Sequence, residues 1–133
     1  MMARTLFAAL ACFALVSGCG GGGGSSPQTA QDVAREYVQA RNQGDAARVC
    51  ELYSQQLISQ LRTSNCVEFV KEQTSGAATD LTVLHVTQQG DRATATIQAR
   101  VGGNIANAIA PIEVQLTREG DQWKVSSLGG PGG

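Results

Sequence analysis

Side chains suited to acid–base or metal chemistry are few, because the chain has one histidine and eleven carboxylates among 133 residues. His85 lies within the apolar segment "LTVLHVT", where strict alternation would place it on the same face as Leu81 and Val83. A histidine alone on such a face is usually a hydrogen-bonded sheet residue, and we interpret His85 in this way. A P-loop, a strand-following GxGxxG and a His-Glu-x-x-His motif are all absent from the sequence. We therefore predict no metal site and no cofactor.

Cys19 stands between the small residues of "LVSG" and a run of five glycines. Upstream are one cation, Arg4, and the apolar run 6–16, which is shorter than the roughly 20 residues that a spanning helix needs. This layout is typical of a signal peptide. The sequence "VSGC" resembles the bacterial lipobox, whose cysteine is lipidated and becomes the first mature residue. The alternative is an ordinary signal peptide with an unrelated cysteine.

The expected organisation follows from this resemblance. Residues 1–18 are a removed lipoprotein signal peptide, and 19–28 carry the lipid and a flexible Gly/Ser tether. One domain of about 100 residues, 29–128, follows, and the Gly-rich tail 129–133 is expected to be disordered. The lipid on Cys19 would hold the protein at the extracytoplasmic face of the cell membrane.

Two further cysteines, Cys50 and Cys66, remain once Cys12 has left with the signal peptide and Cys19 has been lipidated. An even number of cysteines outside the cytoplasm favours a disulfide. The alternatives are two free thiols or a metal pair. A zinc site usually needs four nitrogen or sulfur ligands, and the two remaining cysteines with one distant histidine do not supply them. The charge of the chain, −1, and its lack of a basic patch do not favour a nucleic-acid partner.

The first half of the domain has helical signals. Thr29 is a suitable N-cap with Asp32 three residues later, and Gly44 ends the helix that they begin. The next apolar pattern is also helical, and Ser54 is a candidate N-cap that would divide it into two short helices. A further helix is predicted from Asn65 to Gly76. About three helices are therefore expected before the strands begin.

The second half changes to a period of two residues. The segments "RATATIQARV" and "PIEVQLTREGDQWKVSSL" alternate apolar and polar residues and are joined by short turns. The segment "LTVLHVT" is apolar on both faces, which predicts a central or doubly covered strand. The segment "GGNIANAIAP" is either a loop or a short extra strand. The expected fold class is α+β, with about three helices packed on a curved antiparallel sheet of about four strands.

Two segments carry a resemblance to a known family. "AREYVQARNQGDAARVCELYS" and "VQLTREGDQWKVSSL" resemble the helical opening and the closing strands of the NTF2-like superfamily, which includes SnoaL-like and ketosteroid isomerase-like proteins. The resemblance extends over Thr29 to Leu128 and implies a cone-shaped fold. "VCELYS…NC" is similar to secreted actinobacterial lipoproteins of this fold, whose paired cysteines correspond to Cys50 and Cys66.

The resemblance implies no catalytic residue for this chain. Enzymes of this fold use a carboxylate base inside the cone together with a polar partner for the developing oxyanion. Glu113 has the parity of the polar face, and Asp80, Asp91 and Asp121 lie at strand ends or turns, where carboxylates are usually solvated. No carboxylate matches a catalytic position, so the sequence favours binding over catalysis.

The expected function is that of a non-catalytic domain that binds a small apolar ligand or acts as an accessory domain at the cell envelope. The alternative is an interaction or dimerisation module, in which the face of "ATATIQARV" meets a second copy or an envelope protein. A ketosteroid isomerase-like or SnoaL-like enzyme is the least favoured hypothesis. We interpret Tyr37, Tyr53 and Trp123 primarily as residues of the hydrophobic core. The candidate pocket-lining residues are Tyr37, Tyr53, His85, Ala95, Ile97, Val114 and Trp123.

Overall fold

Four helices precede a four-stranded antiparallel sheet in the computed structural model, which describes residues 28–74, 79–101 and 111–129. The predicted signal peptide, Cys19, most of the tether, residues 102–110 and the last four residues lie outside the described part. No helix in the described ranges is both long and apolar enough to cross a membrane. The elements are α1 (Ala30–Gln43), α2 (Ala46–Leu52), α3 (Gln55–Gln60), α4 (Cys66–Thr74), β1 (Thr79–Gln89), β2 (Arg92–Val101), β3 (Ile112–Glu119) and β4 (Gln122–Leu128).

Local capping signals determine where the helices begin and end. The Thr29 hydroxyl accepts from the Asp32 N–H at 3.1 Å, and the Asp32 carboxylate accepts from the Thr29 N–H at 3.0 Å. These contacts form a capping box and lower the pKa of Asp32. Gly44 ends α1 with a φ of 69°, a conformation that glycine adopts without the steric cost of a Cβ.

Ser54 separates α2 from α3. Its side chain is buried, and its Oγ accepts from the Leu57 N–H at 3.0 Å, which makes Ser54 the N-cap of α3. The segment is therefore two short helices, the division that Ser54 offered as a candidate N-cap, and the described residues hold four helices where about three were predicted. Asn65 begins α4 as predicted, since its Oδ1 accepts from the Glu68 N–H at 3.3 Å.

The strands follow one another in the order β1-β2-β3-β4, and each pair is antiparallel. Gly90 and Gly120 form the tight turns, with φ values of 59° and 61°. The inner face of β2 is buried as predicted, and α1 packs across the sheet. This arrangement confirms the α+β class. The buried inner-face residues of the last three strands are Ala93, Ala95, Ile97, Ala99, Val114, Leu116, Trp123 and Val125.

The prediction that "LTVLHVT" forms a central or doubly covered strand is wrong. It belongs to β1, which lies at an edge of the sheet. The pairing with β2 shifts between Val83 and His85, so Leu84 forms a bulge and its side chain is 51% exposed. Because one extra residue inverts the alternation beyond it, Leu81, Val83 and Val86 are all half-buried although Val86 has the opposite sequence parity, and the segment is not buried on both faces.

Each edge of the described sheet is contacted at one residue by a polar group from the helical half of the domain. Asn42 of α1 accepts from the Leu81 N–H at 2.8 Å and donates to the Leu81 carbonyl at 2.9 Å, at the outer edge of β1. At the opposite edge, the Ser54 N–H donates to the Val125 carbonyl at 2.8 Å. These contacts satisfy backbone groups that would otherwise offer a template for pairing with another chain.

The disulfide between Cys50 and Cys66 is present. It joins α2 to the first residue of α4 across a Cα–Cα distance of 6.0 Å. α4 packs mainly on α2, and Val70 is its one fully buried residue. The disulfide is therefore a principal attachment of α4 to the domain.

Candidate functional site

A cavity of about 270 Å³ lies on the concave side of the sheet, between α1, the end of α4 and the strands. Its wall is mostly apolar, as the walls of small-molecule sites usually are, and its polar side chains come from the two helices. The residues that line it are Tyr37, Arg41, Gln73, Leu81, Ile97, Ile112, Val114, Leu128 and Gly129.

The sequence-predicted pocket residues divide into three groups. Tyr37, Ile97 and Val114 line this cavity. Tyr53, Ala95 and Trp123 are buried in the hydrophobic core but are not on its wall. His85 lies on the other face of the sheet.

His85 does not share a face with Leu81 and Val83, contrary to the prediction. The bulge at Leu84 brings His85 opposite Thr96, and the His85 Nε2 lies 3.1 Å from the Thr96 hydroxyl on the outer face. The imidazole is exposed there and cannot reach the cavity through the sheet. Its structural interpretation as a hydrogen-bonded sheet residue fits this position.

Tyr37 and Tyr53 form a buried aromatic pair beside the cavity. Their ring centroids are 6.3 Å apart and the rings are tilted by 39°. Burial raises the pKa of both phenols, and the positive charge of Arg41 opposes that rise. Both hydroxyls consequently remain protonated at neutral pH, and each can donate a hydrogen bond.

Arg41 is the functional candidate that the sequence analysis did not single out. It is half-buried at the end of α1, and its guanidinium Nη1 is fully buried with no hydrogen-bond partner among the described residues. The sequence feature that could have identified Arg41 is its spacing. Val33, Tyr37 and Arg41 recur every four residues and therefore lie on one helix face. A cation that continues an apolar stripe points toward the interior of the domain.

The Tyr53 hydroxyl is also buried; it lies close to Tyr37 and to the Arg41 guanidinium but makes no well-aligned hydrogen bond with any described residue. Leaving a buried polar group unpaired costs about 1–3 kcal/mol. We therefore expect Tyr53→Phe to raise the free energy of unfolding by about 1 kcal/mol, because the phenyl ring keeps the packing and removes the unpaired group. Urea denaturation of the ligand-free protein measures this change. A loss of stability would instead mean that the hydroxyl has a partner in solution.

Gly129 closes one end of the cavity wall. A Cβ at this position would overlap the backbone carbonyl of Glu113, so the chain after β4 passes β3 more closely than any other residue type allows. The predicted tail 129–133 therefore begins with a residue that packs against the domain, and residues 130–133 lie outside the described part.

Metal and acid–base groups are not gathered at this site. Within the three described ranges, no cluster of three or more histidine, cysteine or carboxylate residues could hold a metal ion. Glu113 lies opposite Thr96 and is exposed, in agreement with its predicted polar-face parity. Asp80, Asp91 and Asp121 are also exposed. The cavity wall has no histidine or carboxylate among its described residues.

A second surface pocket, of about 410 Å³, lies between α1 and the edge strand β1. Its helix side consists mainly of long polar side chains, including Arg35 and Gln39. Asn42, which binds the backbone of Leu81, also lines it. We attribute this pocket to the packing of the helix on the strand edge and consider the apolar cavity the candidate site.

Sequence comparison finds no matching family model and no matching curated protein. Solved structures are similar in fold. A SEC-C motif containing protein from Rhodopseudomonas palustris matches with a TM-score of 0.58 at 17% identity, over 74% of this chain and 76% of that chain. An NTF2-like protein of unknown function from Cytophaga hutchinsonii matches with a TM-score of 0.52 at 11% identity, over 80% and 95% of the two chains.

A candidate NTF2-like transpeptidase from Campylobacter jejuni matches with a TM-score of 0.51 at 16% identity, over 75% of this chain and 99% of that chain. Identities this low establish similarity of fold and not of activity. The agreement covers the helices and the curved antiparallel sheet together. The chain therefore has the NTF2-like fold.

Proposed function

We propose that this protein is an extracytoplasmic lipoprotein whose NTF2-like domain binds a small, mainly apolar ligand in the cavity on the concave side of the sheet. The observation that carries the proposal is the wall of that cavity. Leu81, Ile97, Ile112, Val114 and Leu128 supply an apolar lining, with Tyr37 and Arg41 at one end. Apolar walls with a few placed polar groups are typical of small-molecule sites.

Binding is favoured over catalysis by the chemistry of the same wall. Proton abstraction needs a base within hydrogen-bond reach of the substrate. The described lining residues supply a guanidinium, a phenol and an amide, none of which is a general base at neutral pH. The name of the Campylobacter jejuni protein points to an enzyme of this fold, but the residues in this cavity suit recognition better.

Native mass spectrometry tests whether the domain carries a bound ligand. Residues 20–133, which contain every described helix and strand, are exported to an oxidising compartment and purified without detergent. We expect a small mass on the monomer that denaturation releases. Ile97→Phe should reduce its occupancy, because the larger ring fills part of the cavity. Leu84→Phe, an equally conservative change on the outer face, should leave occupancy unchanged. A bare dimer of the unaltered sequence would favour the interaction role instead.

Membrane attachment is tested with the full chain in a bacterial host. The proposal gives Cys19 the thiol that accepts the lipid, so Cys19→Ala should accumulate as uncut precursor or leave the membrane fraction. Cys12→Ala is the matched control, because it removes a cysteine within the signal peptide without touching the cleavage region. Fractionation and intact mass measure the result. A Cys19→Ala protein that matures normally and stays membrane-bound would contradict the anchor.

A further inference from the structure

One corner of the apolar cavity brings together three side chains that can donate hydrogen bonds, two on the cavity wall and one packed behind it, with no carboxylate on the wall. We call it the Arg41 corner and define it as Arg41, Tyr37 and Tyr53. Arg41 and Tyr37 line the cavity, and Tyr53 packs against the ring of Tyr37 with 6.3 Å between centroids. The Arg41 Nη1 and the Tyr53 hydroxyl are both buried and lie near each other, and neither makes a well-aligned hydrogen bond with a described residue.

The charge of Arg41 is not neutralised within the described part of the chain. The ion pairs found there join Arg48 to Glu36 and Glu51, and Lys71 to Glu68. The cavity wall adds no carboxylate. Because an unpaired charge is costly away from water, buried cations in proteins are almost always paired. An anionic group of a bound ligand would supply the missing partner.

A carboxylate fits the donors that are present. Its two oxygens can accept parallel hydrogen bonds from a guanidinium, which is the geometry that makes arginine–carboxylate pairs strong and directional. Phenols are protonated at neutral pH, and burial raises the pKa of Tyr37 and Tyr53 further, so Tyr37 adds a donor on the wall and neither ring adds a competing charge. A single guanidinium also balances a singly charged head group.

We propose that the cavity binds an apolar monocarboxylate, with its carboxylate against the Arg41 guanidinium and its hydrocarbon part against Leu81, Ile97 and Val114. This inference rests on the proposed binding function and specifies the ligand class. It assigns Arg41 the recognition of the head group. Ligands with a cationic head are excluded by the same charge, and neutral carbonyl compounds of equal size should bind more weakly.

Isothermal titration calorimetry at pH 7 with octanoate and 2-octanone tests this assignment. The two probes share a similar hydrocarbon chain and differ in the charge of the acceptor. We expect octanoate to bind the unaltered domain about tenfold to hundredfold more tightly, the range of a charge-assisted hydrogen bond to arginine. Arg41→Met keeps an unbranched apolar stem and removes the charged guanidinium, so it should abolish this preference and leave 2-octanone binding unchanged.

Arg35→Met is the matched control, since Arg35 is exposed on the same helix and does not line the cavity. It should retain the preference for octanoate and so exclude a general effect of net charge. Arg41→Lys provides a second variant should Arg41→Met not fold. It keeps the charge, loses the planar fork, and is expected to retain only part of the preference.

The outcomes separate this inference from the function on which it rests. Equal affinity for the two probes, or an octanoate preference that survives Arg41→Met, would overturn the carboxylate assignment and leave apolar binding intact. Absence of binding by both probes to the unaltered domain would overturn the two together. A preference for octanoate that disappears in Arg41→Met, is reduced in Arg41→Lys and persists in Arg35→Met would establish Arg41 as the residue that recognises the head group.

Discussion

Removing the disulfide between Cys50 and Cys66 is expected to lower the free energy of unfolding by about 3 kcal/mol, the value for a loop of this length in the chain-entropy model. The two cysteines are 16 positions apart, and their bond connects α2 to α4. In a domain of about 100 residues, 1 kcal/mol corresponds to about 4–8 °C in Tm. The loss should therefore exceed about 10 °C in Tm.

The measurement compares the oxidised domain, the same domain after reduction, and the double variant Cys50→Ala/Cys66→Ala. Both cysteines are half-buried, so alanine removes little packing and introduces no new polar group. The reduced protein and the double variant should melt at similar temperatures. A double variant that melts within about 2 °C of the oxidised protein would mean a stabilisation of less than 1 kcal/mol, and loop entropy would then not describe what this bond contributes.

The loss of stability that follows removal of the disulfide should also be uneven along the chain. α4 has one fully buried residue, Val70, and packs mainly on α2. Without the covalent link, its attachment depends on few apolar contacts, so local opening should need less free energy than global unfolding. Hydrogen exchange in the reduced protein should accordingly show the largest loss of protection in 66–74. A uniform loss across the sheet would contradict this view of α4.

The helix ends could be predicted from sequence because their signals are local. The Thr29–Asp32 capping box, the αL glycine Gly44 and the Asn65 cap each involve residues within about one turn of each other. The disulfide was also predictable, since the expected secretion leaves two cysteines and the resemblance pairs them. These features need no knowledge of how distant parts of the chain meet.

The edge position of β1 could not be predicted, because it depends on long-range pairing. Whether a strand is central is decided by which neighbours it hydrogen-bonds, and β1 pairs only with β2 among the strands that the structure describes. The bulge at Leu84 has the same origin, since the extra residue is visible only against the register of β2. The prediction for His85 assumed strict alternation without a bulge, and it therefore placed His85 on the wrong face of the sheet.

The candidate site was only partly predictable from the sequence, because some of its features also depend on contacts between distant parts of the chain. Its apolar wall was anticipated at Ile97 and Val114, where the period-two pattern identifies the inner face of the sheet. Arg41 was missed because a cation near the C-terminus of a helix is ordinary and favourable for the helix dipole. Only the helix packed on the sheet shows that this guanidinium faces a cavity without a counter-ion. Sequence patterns indicate faces, whereas a missing partner is a property of the assembled fold.

Truncating Trp123 is expected to destabilise the domain at least as much as loss of the disulfide. The residue is 5% exposed on the inner face of β4 and belongs to the main hydrophobic cluster. Trp→Ala substitutions in cores cost about 3–5 kcal/mol. A small domain has only about 5–15 kcal/mol of total stability, so Trp123→Ala should retain little of it, and part of the population should be unfolded at 37 °C.

Trp123→Phe separates a core role from a role in the cavity. It keeps an aromatic ring and should lose clearly less stability than Trp123→Ala. Because Trp123 is not on the cavity wall, the octanoate affinity of Trp123→Phe should equal that of the unaltered domain. Ile97→Phe, which changes the wall itself, should show the opposite pattern, with weaker binding and a smaller loss of stability than Trp123→Ala.

Urea unfolding followed by circular dichroism measures these variants, because Trp123 is the single tryptophan and fluorescence is lost with it. If Trp123→Phe binds octanoate less tightly while its stability is nearly unchanged, the indole takes part in the site after all. If Trp123→Ala costs less than about 1 kcal/mol, far below the usual cost of emptying a core position, then Trp123 does not anchor β4. The expected pair of results would show that the side chain that anchors β4 and the side chains that contact the ligand are different residues.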